Sequence, residues 1–171
     1  MTAFRRLRAP GGTNYFAARL QDRSSDLLCR EADLLRDCVR LAKTRWPFEI
    51  RCACILPAEL HMIWTLPEGD SDFPARWRLI KSAFSRHLPA PEVPPSPSKQ
   101  RKGEKGIWQR RYWEHLIRDA ADYRAHEAHC LSAPVRAGLV ARAEDWALSS
   151  IHRRGRAAAA LPQEAGKRRV A

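Results

Sequence analysis

Two extended runs, FEIRCACIL at 48–56 and ELHMIWTL at 59–66, are separated only by Pro57-Ala58, and no other feature of the chain constrains its fold so tightly. So short a connection brings the runs side by side as a hairpin or near-hairpin. Strand side chains alternate, so in the second run Leu60, Met62, Trp64 and Leu66 point to one face. Glu59, His61, Ile63 and Thr65 point to the other. A sheet with so apolar a face requires a covering layer, and the flanking sequence supplies one.

Before the hairpin, residues Asp26 to Arg45 carry Leu27, Leu28, Leu34, Leu35, Cys38, Leu41 and Ala42 at three-to-four spacing with charged residues between them. This is an amphipathic helix ended by Pro47. After it, FPARWRLIKSAFSRHL at 73–88 lines up Phe73, Trp77, Ile80, Phe84 and Leu88 on one stripe. The aromatic run NYFAARL at 14–20, bounded by Gly11-Gly12, reads as a first strand. Asp119 can cap a last helix, AADYRAHEAHCLSA, which must stop before Pro134. The order strand, helix, strand, strand, helix, mixed segment, helix predicts an α+β fold. Its expected form is a ferredoxin-like antiparallel sheet with helices packed on one face. At 171 residues the chain suits a single domain, expected over 1–150. The proline-rich stretch 89–99 is a stiff connection inside that domain, and the basic segment 151–171 is expected as a poorly ordered tail.

Lys and Arg number 31 against 19 Asp and Glu, a formal charge of +12, so the surface carries a broad positive field that recruits polyanions, nucleic acid above all. The five cysteines are odd in number and lie mostly within apolar patterns, as reduced thiols of a cytoplasmic protein do. No apolar run approaches the roughly 18 residues of a membrane span. The amino terminus lacks the apolar core of a secretory signal.

Glu59 and His61 project the same way from one strand, with Cα atoms roughly 6.5–7 Å apart. A carboxylate with a neutral imidazole suits Mg²⁺ or Mn²⁺, given a third ligand from elsewhere; an exposed pair on a sheet rim is the alternative. For nucleic acid, two basic groups stand out. Arg76, Arg78, Lys81 and Arg86 lie on one helix, and Arg101, Lys102, Lys105, Arg110 and Arg111 surround Trp108 and Tyr112. Together they combine phosphate-neutralising cations with rings that can stack on unpaired bases. Trp113 is expected in the core instead.

The segments FEIRCACILPAELHMIWTLPEGDSDFPARWRLIKSAFSR, GIWQRRYWEHLIRDAADYRAH, PVRAGLV, EDW and SSIHR carry a resemblance across residues 4–155. The chain resembles the REP-associated tyrosine transposases, IS200/IS605-like members of the HUH endonuclease group. That resemblance implies a ferredoxin-like fold, a bacterial, nucleoid-associated protein, hairpin or single-stranded DNA as partner, and a divalent metal. In the family, a His-hydrophobe-His motif on the second hairpin strand holds the metal. A tyrosine on the last helix attacks the scissile phosphate, and a polar side chain one turn later completes the metal shell. Here the motif reads Glu59-Leu60-His61, the tyrosine position falls on His129 and the polar position on Ala133. Tyr123 is six residues before His129, about 600° of helix rotation or 240° net, and so points elsewhere. The expectation is a DNA-binding relative impaired in cleavage, its metal site reduced to His61 and Glu59. An active enzyme with an altered nucleophile, His129 among the candidates, is the alternative, and RNA hairpin binding a weaker one. The sequence is compatible with a monomer or a homodimer.

Overall fold

A computed structural model describes residues 9–89 and 94–153. Four strands, β1 (Thr13–Arg19), β2 (Glu49–Ile55), β3 (Glu59–Thr65) and β4 (Trp113–Leu116), form one antiparallel sheet in the order β2-β3-β1-β4. Six helices accompany them: α1 (Leu27–Arg30), α2 (Ala32–Arg45), α3 (Phe73–His87), α4 (Pro97–Gln100), α5 (Ala120–Leu131) and α6 (Ala133–Arg136). With α2 between β1 and β2, and α3 between β3 and β4, this is the ferredoxin-like arrangement expected from the hairpin and its flanking amphipathic helices.

The apolar sides of α2 and α3 cover one face of the sheet. Leu35, Cys38 and Ala42 from α2 and Phe73, Trp77, Ile80 and Phe84 from α3 enclose Phe16, Leu60, Met62 and Trp64. The indoles of Trp64 and Trp77 stack with centroids 4.7 Å apart and planes 17° from parallel, and Phe48 packs on Trp64 at 4.4 Å. Aromatic pairs of this kind add about 0.5–1.5 kcal/mol each beyond their buried area. Local signals set the helix starts: the Asp72 carboxylate accepts from the Ala75 N–H, and that of Asp119 from the Asp122 N–H.

Helices were expected on one face; α2 and α3 cover it, whereas α5 packs on the second face of the sheet. Cys130, Leu131 and Ala133 pack there against Tyr15, Cys52, Cys54 and Ile63. The chain then returns along β2, where the Trp146 indole N–H donates to the Ile55 carbonyl (2.8 Å) and Ser149 bridges Cys54. A 3₁₀ turn at Ser150–Arg153 continues the fold past residue 150, the expected boundary, and residues 154–171 of the expected tail lie outside the described residues. In the proline-rich connection, Pro97–Gln100 makes a helical turn and 90–93 lie outside the described residues. All five cysteines are free, and all but Cys29 are buried. No helix among the described residues is long and apolar enough to cross a membrane.

Arg76 corrects one expectation. It is 1% exposed, so it presents nothing to a ligand. Its guanidinium donates to both carboxylate oxygens of Asp70 (3.3 and 2.6 Å) and to the carbonyls of Trp46, Pro47 and Asp72. It fastens the start of α3 to the end of α2. The hydrogen bond from Arg76 holds the Asp70 carboxyl below its ordinary pKa of 3.8. A carboxylate depressed on folding contributes stability above its unfolded pKa and loses it as the pH falls through the folded value. Asp70→Ala leaves a buried guanidinium without its counter-ion. Because Asp70 is itself 31% exposed, the expected loss is at the low end for such a pair, about 3 kcal/mol at pH 7. That difference should shrink below about pH 4; urea unfolding at pH 7 and pH 3 measures both.

Candidate functional site

The sheet register builds the site on the face that α5 covers. Trp113 of β4 lies opposite Ala17 of β1, and Ala17 opposite His61 of β3. On either side of that row, His115 pairs with Tyr15 and Arg19 with Glu59. All of these side chains share a face, and Ala17 is the smallest, so a hollow forms above it. With Ala125, His126 and His129 of α5 as one wall, the hollow is a cavity of about 480 Å³.

Glu59 and His61 do project together: the His61 Nε2 is 3.6 Å from the Glu59 Oε1. The carboxylate is already engaged, however. Arg19 donates through Nε to Oε1 (2.8 Å) and Arg23 through a terminal nitrogen to Oε2 (3.2 Å). Burial works to raise the Glu59 pKa, but the Arg19 hydrogen bond and the positive neighbours outweigh it, leaving the carboxyl below its ordinary value. At His61, burial dominates and pushes the imidazole down to about 4, despite the favourable charge of Glu59. Its Nδ1 lies 2.6 Å from the Tyr15 hydroxyl. Burial raises that phenol well above its ordinary value.

His129, the position at which the resemblance implied the family's tyrosine, lines the cavity with an Arg136 terminal nitrogen 3.1 Å from its Nε2. Partial burial and the charge of Arg136 lower its pKa. Ala133 is buried and offers no donor atom. A divalent cation between Glu59 and His61 would have to displace two guanidinium groups and would find no third side chain at Ala133. The residues present do not fit one. The group among the described residues whose ligand atoms converge is another, His115, Asp122 and His126, all within 4.8 Å of one another. It could hold a metal ion. Without one, Asp122 accepts from the Nε2 of His115 (2.9 Å) and from the Nε of Arg118 (3.0 Å), tying β4 to α5.

The second basic region is a groove of about 650 Å³ between α3 and the loop 102–112. Trp108 is buried against Phe84 and so withdraws from the residues expected to stack on bases. Tyr112 packs its ring on Phe16 and Trp77. Lys81 donates to the carbonyls of Gln109 and Arg110, and Lys105 to that of Leu88. Arg110 pairs with Glu104. Arg78, Arg86, Arg101, Lys102 and Arg111 are exposed. The largest reversal is Trp113, expected in the core and found 62% exposed at the rim of the first cavity. The alternation in WEH, which places Trp113 beside His115, was the available signal. In the same way, the alternation in NYFAAR puts Tyr15, Ala17 and Arg19 opposite the core-facing Phe16 and Ala18. Tyr123 is outside the cavity lining, its hydroxyl 3.4 Å from Glu127.

No protein-family model matches the chain. A REP-associated tyrosine transposase of Escherichia coli K12 is 40% identical over 153 residues, 90% of this chain and 84% of the relative. A Haemophilus influenzae relative named for the same family is 37% identical over 153 residues, 90% of this chain and 87% of its own. A solved structure of a REP-associated tyrosine transposase bound to a REP hairpin shares 37% identity and a TM-score of 0.78 over the whole of both chains.

The neutral state of His61 has a measurable consequence. Its folded pKa of about 4 is below its unfolded value of 6.5, so the unfolded chain takes up a proton first as the pH falls. Stability tied to this group should therefore be complete above about pH 6.5 and decline toward pH 4, by roughly 2–4 kcal/mol. His61→Gln should flatten that part of the profile in urea titrations at pH 7, 5.5 and 4.5.

Proposed function

The chain belongs to the REP-associated tyrosine transposases, and from that lineage we propose that it binds hairpin DNA with adjoining single strand but does not cut it by tyrosine attack. The observation that carries this reading is His129: an imidazole held by Arg136 stands at the position matched to the family's nucleophile. Strand transfer needs a nucleophile that conserves the phosphodiester bond energy; a tyrosine does so as a tyrosyl ester, whereas an imidazole would form a phosphoramidate and would need a different reach and its own activation. The arginine clasp on Glu59 works in the same direction, since it replaces the Mg²⁺ or Mn²⁺ expected at Glu59 and His61 with fixed positive charge. A nucleoid location follows from the DNA partner.

DNA binding draws on a different part of the molecule. The formal charge of +12 and the exposed Arg78, Arg86, Arg101, Lys102 and Arg111 supply phosphate contacts that need neither metal nor nucleophile. The solved relative's hairpin complex supports the choice of ligand.

Tyr15 favours a second reading. Its hydroxyl lies in the same cavity, 2.6 Å from His61, so an active enzyme could use this phenol in place of the missing one. Against that, the ring is buried and its pKa is raised; both disfavour the phenolate.

One assay separates the readings. A labelled hairpin with a single-stranded flank is incubated with the protein and Mn²⁺, then run under native and denaturing conditions. We expect a native complex whose affinity falls about tenfold or more between 50 and 200 mM salt, and no adduct after denaturation. A covalent adduct lost in Tyr15→Phe would establish the second reading. Salt-indifferent affinity, or equal competition by an RNA hairpin of the same sequence, would overturn the proposed ligand.

A further inference from the structure

The geometry points to a metal-independent nucleotide subsite in the cavity above Ala17: an unpaired base of the single-stranded flank stacks on Trp113 while its phosphate rests on Arg19 and Arg23. This rests on the hairpin-binding reading and deepens it by saying where the single strand goes and what holds it.

Three observations carry the inference. Trp113 is the most exposed large apolar side chain of the described residues, yet it lies on a strand and faces the cavity. An indole held open to solvent at the edge of a basic cavity suits a base, because every base offers a π-face for stacking. The cavity, at about 480 Å³, is within the range of small-ligand pockets. Its floor is low because Ala17 separates Trp113 from His61 in the register.

The second observation is the charge. Arg19 and Arg23 are each about half exposed, at 49% and 50% of their side chains, although both touch Glu59. Arg19 gives Glu59 its Nε, so the outer edge of its guanidinium, with both terminal nitrogens, is not used by that bond. A guanidinium fork matches the oxygens of a phosphate. Glu59, whose two oxygens each accept one arginine, fixes both forks in place. Two guanidinium groups against one carboxylate leave the corner net positive, and Arg136 adds to it across the cavity at His129.

The third observation is the missing metal chemistry. With Glu59 clasped and Ala133 donor-free, a phosphate entering this cavity meets arginine where a divalent cation is implied for the family. Binding there therefore needs no divalent ion.

The test uses the full chain and two DNA hairpins of the same stem, one blunt and one with a single-stranded flank carrying 2-aminopurine. Wild-type protein should bind the flanked hairpin more tightly and quench the 2-aminopurine emission, equally in EDTA and in Mn²⁺. Trp113→Ala should weaken flanked-hairpin binding about tenfold and abolish the quench, with blunt-hairpin affinity unchanged within twofold. Arg19→Gln should weaken the same complex and retain part of the quench. Trp113 is exposed, so its replacement leaves the fold intact, as circular dichroism will verify. Equal affinity of wild type and Trp113→Ala for both hairpins would overturn the subsite while leaving hairpin binding standing. Dependence of the quench on Mn²⁺ would overturn its metal independence. If wild type bound neither DNA, the broader reading would fail with it.

Discussion

The Glu59 carboxylate, clasped by Arg19 and Arg23 beside a neutral His61, is the interaction on which the site depends. A strand position that faces a cavity and carries a buried acid must find a positive partner, because an uncompensated buried charge is expensive. In a metal enzyme that partner is the cation. Here the register supplies it from the protein: Arg19 is the direct cross-strand neighbour of Glu59, and Arg23 reaches back from the loop after β1. On the proposed reading, an acid at Glu59 does more than alter a ligand set: with both carboxylate oxygens taken by arginine, the corner carries fixed positive charge.

The sequence carried the architecture well and the site unevenly. The hairpin of β2 and β3 and the two amphipathic helices were legible because each has a strong period and a clear stop, and together they fix the ferredoxin-like order. β4 was barely legible: Trp113 and His115 alternate with Glu114, but four residues are too few to mark a strand, and its pairing with β1 defines it. The tryptophans show the limit most plainly. Trp108 and Trp113 occur in the same basic, aromatic segment and composition cannot tell them apart, yet one packs on Phe84 and the other faces solvent. Arg76 shows the converse, a basic residue on a helix with a basic back that is turned inward by a specific set of acceptors. Glu59 and His61 were placed on one face correctly by alternation alone. Their arginine partners were out of reach, because that contact depends on the register between β1 and β3.

Tyr15 illustrates why a motif-centred reading can overlook a neighbour. The family pattern directs attention to the last helix for a phenol, and there stands His129. The sheet nevertheless brings the β1 phenol of Tyr15 to the imidazole of His61. Its short hydrogen bond to Nδ1 orients His61 whatever chemistry survives, as outer partners of imidazoles commonly do. The cavity thus joins an oriented, neutral imidazole, a fixed cationic pair and an open indole. That combination supports the proposed reading, in which the cavity holds a nucleotide without cutting it.

The most direct measurement is an anomalous difference map from crystals soaked in Mn²⁺, which locates the ion itself. The account predicts no peak within ligand distance of Glu59 and His61, with the Arg19 guanidinium still seated on the carboxylate. A peak coordinated by both residues, with Arg19 and Arg23 turned away, would contradict it.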